Sequence, residues 1–528
     1  MSELNTTYNT AVCNAASRKL FAPLFRARWQ NCQNIVNDTA FINQMPKNYQ
    51  MYYQAYITQW AQWSRGFVPQ LHKQDFFSTG MGYTVCNIFV TECMSGGYRI
   101  NASDPNVRDF IERWGGDELD NLLNRMFFYT NAVGNALLVL TPVNGELYPS
   151  VYPVTRAAFQ IGRRGEVTQL LLFNRFVSGN KAYYTRELRV MHKGNAYYKV
   201  SLAEGELATC PVWTSRAKVK LTDDVAQQWT NCYGDIEPEK WYAMPKALNG
   251  IGVYNVRNRA VAVALSDLPG YSDSSLHTAL DVLYSIDYNF TQSQVDQYLG
   301  KSRTLVPKQM GGIRMINQPG TLADGHTFKE ALELRQQPLD DVFYTQIPDD
   351  NINGEAVKPM FIQPDLRGEA HKLIRDADLE LLASKIGLSA ATLASHLGSS
   401  GGTKTDDEVD SENSIDEKSI GNRRELASVA INKMLTDVAR FYGYSEEVSI
   451  QFGRTKSNSS RENRELLADY QAGTLPLREY LRRRWSDMTE EAIEKMITEI
   501  RSEESRREEM RNNSLFGNMD FGTEVKTT

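Results

Sequence analysis

Gly398-Ser399-Ser400-Gly401-Gly402-Thr403-Lys404-Thr405 sets glycines, a lysine and a hydroxyl in the order of a phosphate-binding loop. In such a loop backbone N–H groups wrap a phosphate, the lysine neutralises it and the hydroxyl reaches a magnesium ion. Two features exclude that chemistry. Thr403 stands directly before the lysine, where the motif needs glycine, and the segment follows a helical pattern instead of a buried strand. The residues read as a pliable break between two helices.

The other chemistry-bearing residues are dispersed. Six histidines (His72, His192, His277, His326, His371, His396) lie far apart, and none falls in an H-E-x-x-H pattern. Six cysteines (Cys13, Cys32, Cys86, Cys93, Cys210, Cys232) form no C-x-x-C pair and read as free thiols of a reducing cytoplasm. No G-x-S-x-G elbow frames a serine. The expectation is a non-enzymatic chain with no catalytic residue, no metal and no cofactor.

Charge bears on partners. The acidic run Asp406, Asp407, Glu408, Asp410, Glu412, Asp416 and Glu417 fits the positive end of a helix and would be solvated there. The arginines Arg478, Arg482, Arg483, Arg484, Arg501, Arg506 and Arg507 are interleaved with Glu479, Glu490, Glu491, Glu494, Glu499, Glu503 and Glu504, a mixture typical of paired or solvated helices. With a net charge of −6, the chain does not grip nucleic acid over much of its surface. The first residues lack a basic stretch followed by an apolar one, and no 18-residue apolar run occurs, so neither secretion nor a membrane partner is expected.

The elements that would position these residues follow from periodicity. A length of 528 residues suits two or three domains. Tyr49, Tyr52, Tyr53, Tyr56, Trp60 and Trp63 recur at helical spacing between Pro46 and Phe67 and predict one helix with an aromatic stripe packed on a core or a neighbouring subunit. Helices are expected at Asp104–Trp114 and Asp117–Tyr129, then a hairpin turning at Asn144-Gly145 and strands at 157–161, 167–176, 182–192 and 196–202. After Pro269-Gly270, Asp273, Ser274 and Ser275 are candidate N-caps for a long helix striped by Leu276, Leu280, Leu283, Ile286, Phe290, Val295 and Leu299. Short strands at 303–307, 342–347 and 357–362 predict a small α/β insert. A second helix spans 365–386. A third, opened by the capping box Thr405/Glu408, reaches residue 442 and would be about 55 Å long. A strand at 447–452, a helix opened by Ser459 with Glu462, helices at 476–485 and 489–506, and a polar end beyond Glu508 complete the pattern.

This order resembles the portal proteins of tailed bacteriophages, of the type found in siphophages of Gram-positive bacteria. The resemblance runs over about residues 47–505. It rests on Pro269-Gly270-Tyr271-Ser272-Asp273 through Asp287-Tyr288 to Gly300–Pro307, and on Ile362–Gly368, Lys385–Ser389, Thr403–Val409 and Ser411-Glu412-Asn413. The segment Gly311–Phe328 looks like extra sequence, and the first 45 residues have no counterpart.

The resemblance implies an α+β fold of portal type: a wing (1–270), a first stem helix (271–300), a clip (301–364), a second stem helix (365–390) and a tunnel loop (391–406). A long wing helix with a returning strand (407–456), a helical crown (457–510) and a disordered tail (511–528) would follow. It implies a homo-oligomeric ring of about twelve copies at a unique capsid vertex. The implied partners are the major capsid protein, the scaffolding protein, the terminase large subunit, a head-tail adaptor and double-stranded DNA passing without sequence specificity. The implied location is the virion, after assembly in the host cytoplasm. Leu397, Gly398, Ser399, Ser400, Gly401, Gly402 and Thr403 would constrict the channel. A wall that let DNA slide would avoid tight phosphate binding, so Asp281, Asp287, Asp296, Asp406 and Asp407, with Lys404 beside them, are the expected channel-lining residues. The competing readings are a head-tail adaptor or other connector, which would be shorter, and a phage DNA-processing enzyme, which would need a phosphate loop or a carboxylate metal site.

Overall fold

The structure, a computed structural model, describes residues 45–66, 77–163, 165–178, 181–205, 223–259, 262–299, 303–307, 344–347, 360–362, 367–397, 406–453, 466–484, 493–503 and 505–506. The chain is α+β. Its first part comprises α1 (Lys47–Tyr52), a π turn (Tyr53–Ile57), α2 (Thr58–Ser64), α3 (Met81–Met94), β1 (Tyr98–Asn101), α4 (Pro105–Val133), β2 (Asn135–Val143) and β3 (Glu146–Pro153). Then come β4 (Ala157–Ile161), β5 (Val167–Ser178), β6 (Lys181–His192), β7 (Asn195–Gly205), α5 (Asp223–Tyr233), β8 (Trp241–Ala243) and β9 (Val253–Arg257). The second part comprises α6 (Leu280–Leu299), β10 (Arg303–Pro307), β11 (Tyr344–Ile347), β12 (Met360–Ile362), α7 (Gly368–Ile386), α8 (Ala390–His396), α9 (Asp406–Phe441), β13 (Ser449–Phe452) and α10 (Leu477–Arg484).

β4 to β8 form an antiparallel meander in sequence order, and β3-β2-β9 a second sheet. The hairpin between β2 and β3 closes at Asn144 (φ 52°) and Gly145 (φ 84°), both left-handed, as a two-residue turn of matching twist demands. The two sheets are tied by Arg189, which is fully buried on β6. Its guanidinium meets Glu187 at 2.5 Å and donates to the carbonyls of Leu140 at 2.7 Å and Ile251 at 3.0 Å.

The expected aromatic helix is widened by the π turn at its centre. Its tyrosines do more than fill the core. Tyr49 donates its hydroxyl to the carbonyl of Phe159 at 3.1 Å, Tyr53 donates to that of Ala157, and Tyr271 accepts from the N–H of Phe159 at 3.1 Å. Since β4 is an edge strand, three phenols supply the partners that a missing neighbour strand would.

α4 merges the two expected helices across a break at Gly116 (φ 44°, ψ −146°). In α9, Ala427, Ile431, Met434, Leu435, Val438 and Ala439 are buried, so its C-terminal half is core. There it meets β9, β13, α3, β2 and α4. β13 pairs antiparallel with β1, with Gln451 opposite Arg99 and accepting from the side chain of Asn101, 350 residues earlier, at 3.2 Å. β10 lies between β11, parallel to it, and β12, antiparallel. Leu466, Tyr480, Leu481 and Ile493 form a second, smaller cluster apart from the main core.

Candidate functional site

The site that the sequence singles out is the pair α6 and α7 with the segments rooted on it. The helices run antiparallel, because their contacts descend along one as they ascend along the other. Lys385 bonds Asp281 at 2.8 Å, Asp378 accepts from Ser285 at 3.1 Å and Asn289 at 2.7 Å, and His371 meets Asp296 at 2.9 Å. Polar contacts run the length of this seam. Burial is confined to one end of α7: Leu382, Ala383 and Ile386 are buried, whereas no residue from 368 to 377 is. α7 stops at Gly387, whose left-handed backbone (φ 78°) lets its N–H return to the carbonyl of Ala383.

α6 is clasped to the rest of the chain by polar groups. Asp287, 1% exposed, accepts from the N–H and the hydroxyl of Thr79 at 2.7 and 2.6 Å, and Thr291, one turn on, accepts from the N–H of Phe77 at 2.9 Å. Asp287 was expected to line a channel. It is instead buried against the segment that leads into α3, because α6 turns this face toward its own chain. The other two carboxylates on α6 are engaged in the seam: Asp281 is held below the usual carboxylate range by its bonds to Lys385, and Asp296 is paired with His371.

At the root of α6 lies a buried polar junction. Asp273, Ser274 and Ser275, expected as caps, do not open the helix; a 3-10 turn (His277–Ala279) precedes it. Ser274 does accept from the N–H of Leu276 at 3.0 Å. Asp273 accepts from the N–H groups of Val263 and Ala264 at 2.7 and 3.1 Å, and so folds the preceding loop. Ser275 donates to the amide oxygen of Asn131 at 2.8 Å. Into the same point comes Arg423 of α9, whose Nε–H lies 3.0 Å from that oxygen of Asn131 and 3.2 Å from that of Asn258. Its other donors reach Ser275 and Ser419, and its plane covers the ring of Phe89 at 4.0 Å. All these acceptors are neutral, and burial lowers the Arg423 pKa to about 10. The chain passes close here: a Cβ on Gly134 would stand 1.9 Å from the carbonyl oxygen of Ser272.

α8 is held at both ends. Asp416, from the acidic run, is buried and accepts from the N–H and hydroxyl of Ser389 at 2.6 and 2.7 Å and from the hydroxyl of Thr392 at 2.7 Å. At the other end His396 meets Glu92 at 2.9 Å. Thus one member of the run is a fastener and not a solvated charge. The next turns of α9 continue the attachment through Arg424, which donates to the carbonyls of Glu92, Cys93 and Ser95 at 3.0, 2.9 and 2.6 Å and so satisfies the end of α3.

Of the expected loop, Leu397 is the first residue after α8. Gly398, Ser399, Ser400, Gly401, Gly402, Thr403 and Lys404 lie outside the described residues, and Asp406 and Asp407 begin α9. His72, His326, Cys13, Cys32, Cys210, Ser459, Glu462 and the segment Gly311–Phe328 also lie outside them. Among the arginines, Arg483 pairs with Glu479 at 2.9 Å and Arg478 with Glu494 at 3.1 Å. Cys86, Cys93 and Cys232 are free, and burial pushes the Cys93 thiol up to about 12. Among the described residues no group of three His, Cys, Asp or Glu could hold a metal ion, and no helix is long and apolar enough to cross a membrane. Sequence reasoning missed Asn131, Asn258, Ser389, Arg423 and Arg424. Only the adjacent arginines inside an otherwise apolar helical pattern gave any signal.

No family model matches the chain, and no curated protein does. Among the solved structures similar to this chain are two particle necks. The neck of a native GTA particle computed with C12 symmetry has a TM-score of 0.39 at 11% identity, covering 76% of this chain and 88% of that one. The neck of an empty GTA particle computed with C6 symmetry has 0.39 at 12%, covering 77% and 89%.

Proposed function

We propose that this chain is a portal subunit. About twelve copies would form a non-enzymatic ring at one capsid vertex, through which double-stranded DNA is packaged and later ejected. The observation that carries the reading is the one-ended anchoring of the α6/α7 hairpin. Its root is built into the core through Leu382, Ile386, Asp287 and Arg423, while its far end carries the small β10–β12 sheet and exposes apolar side chains of both helices. A polar-seamed hairpin of this kind is poorly suited to water alone and well suited to lateral repetition about an axis.

In this reading the β10–β12 module receives the terminase large subunit and then a head-tail adaptor, and the sheets of the first part meet the major capsid protein and scaffolding protein. The segment between α8 and α9 reaches the channel. Negative-stain microscopy and mass photometry of the purified chain test it: rings with an axial hole are expected. A monomer at every concentration, or nucleotide hydrolysis or metal-dependent DNA cleavage by the isolated protein, overturns it.

A further inference from the structure

α3, β1 and the two segments of α4 border an open cavity of about 600 Å³, a volume at which binding sites are commonly found. Its floor is apolar, made by Met94, Ile100 and Leu119, and its rim carries Tyr98, Glu112 and Asp120. The break at Gly116 brings Glu112 of the first α4 segment and Asp120 of the second to one place. A Cβ added at Gly97 or Gly116, both in the wall, would meet nothing within 4 Å. Both carboxylates are exposed, and among the described residues neither forms an ion pair. Burial first, and then the neighbouring Asp120, raises the Tyr98 phenol above its ordinary pKa, so the rim has acceptors and a neutral hydroxyl but no cation.

The cavity is one end of a longer border between α3 and α4. Tyr83, Asn87, Val90 and Met94 follow one stripe of α3, and Asp120, Asn124 and Phe128 follow one ridge of α4. The two rows meet at both ends: Met94 with Asp120 and Asn124 around the cavity, and Tyr83 with Phe128, whose rings lie 5.6 Å apart. Tyr83 is 50% exposed. The furrow is thus aromatic at one end and acidic at the other, about 16 Å away along α3. Two cations close in sequence are turned elsewhere. Arg125 stands about 100° further round α4 than Asn124, and Arg99 points to the face of β1 opposite Tyr98 and Ile100.

We propose that this furrow docks a basic amphipathic segment of another protein, with an apolar side chain against Tyr83 and Phe128 and a lysine or arginine in the cavity. Charge complementarity decides the occupant. The aliphatic stem of such a side chain covers Met94, Ile100 and Leu119 while its head reaches Glu112 and Asp120. DNA would bring its phosphates against two carboxylates, so it gains nothing there. A free amine would fill the cavity alone and leave the aromatic end uncovered, whereas about three turns of an amphipathic helix span both.

Fluorescence anisotropy of the full-length protein with a labelled peptide of leucine and lysine at helical spacing tests this, with free putrescine as the comparison and circular dichroism to verify folding. Binding of the peptide is expected to weaken about tenfold in Glu112→Gln/Asp120→Asn and to weaken in Tyr83→Ser. It should be unchanged in Glu369→Gln/Glu380→Gln, which removes two charges from exposed positions on α7. Equal weakening in the two charge-neutralised variants, or none in the first, reduces the attraction to net charge and overturns the proposal. Putrescine bound as tightly as the peptide, with no effect of Tyr83→Ser, makes the cavity an amine site and overturns it. Self-association that Glu112→Gln/Asp120→Asn abolishes gives the furrow to a second copy and overturns it, as does a wild type that binds no peptide.

Discussion

Arg423 of α9 and Asn131 of α4, 292 residues apart in the chain, meet at 3.0 Å inside the protein, and among the described residues no carboxylate bonds the guanidinium that joins them. A buried cation balanced only by dipoles is costly, so it is retained where its several donors are all used. Here they gather α4, the loop holding Asn258, the root of α6 and α9 itself around one group.

Replacing Arg423 therefore acts through the acceptors left behind. Arg423→Met removes the buried charge but leaves the oxygens of Asn131, Asn258 and Ser419 short of donors, and about 2–3 kcal/mol of stability should be lost. Arg423→Lys should lose less than Met but not restore wild type, because one ammonium cannot span the fork. Thermal unfolding of the three proteins checks the order; equal stability of Met and wild type would show that the junction is not held by this residue.

Asp287 and Asp281 sit on one helix and should respond unequally to the same change. Asp287→Ala removes two charge-assisted bonds to Thr79 from a buried site and should cost about 3 kcal/mol. Asp281→Ala, at a side chain 72% exposed, should cost less than about 1 kcal/mol. Denaturant midpoints measure both. A channel-lining role for Asp287, as the portal resemblance implied, would give two small effects.

That contrast shows what the sequence could not reveal. Helical period places Asp281, Asp287 and Asp296 on α6 but not which side of α6 the chain covers, and residues 77–79, two hundred positions earlier, decide it. The Asn144-Gly145 hairpin was legible because its signal is local. α3 was not read at all: Val85, Cys86, Phe89 and Cys93 are buried on one side of it, but the apolar Tyr83, Val90 and Met94 on its other sides blur the stripe in the sequence. β1 found its partner β13 only through the fold. Asp273 and Ser275 have the composition of caps, but burial against Asn131 and the 263–265 loop redirected them. In the site, the two helices were readable from their periodic stretches, whereas the fasteners Asp416 and Arg424 required knowing which helix ends they meet.

Asp437 gives a pH dependence of defined sign. Burial raises its pKa despite bonds from Tyr254 at 2.5 Å and the N–H of Asn249 at 2.9 Å. Between the ordinary value of about 4 and the raised one, the folded chain holds a proton that the unfolded chain has released, so stability falls as pH rises through that interval and is level above it. Asp437→Asn should remove this component. Unfolding temperatures of both proteins from pH 4 upward check it, and identical pH profiles would refute the assignment.

Glu187 and Arg189 should behave as a unit. Either Glu187→Leu or Arg189→Met alone leaves a charge buried between the two sheets and should cost about 3–5 kcal/mol. The double variant removes both charges at similar volume and should be more stable than the sum of the singles allows, since the coupling between contacting groups is then absent from the reference. It should still fall short of wild type, because Arg189 also donates to the carbonyls of Leu140 and Ile251 and to the hydroxyl of Thr141, and methionine cannot. A double-mutant cycle by urea denaturation measures the coupling. Additive losses would mean that Arg189 joins the sheets through the carbonyls alone, with Glu187 as a bystander.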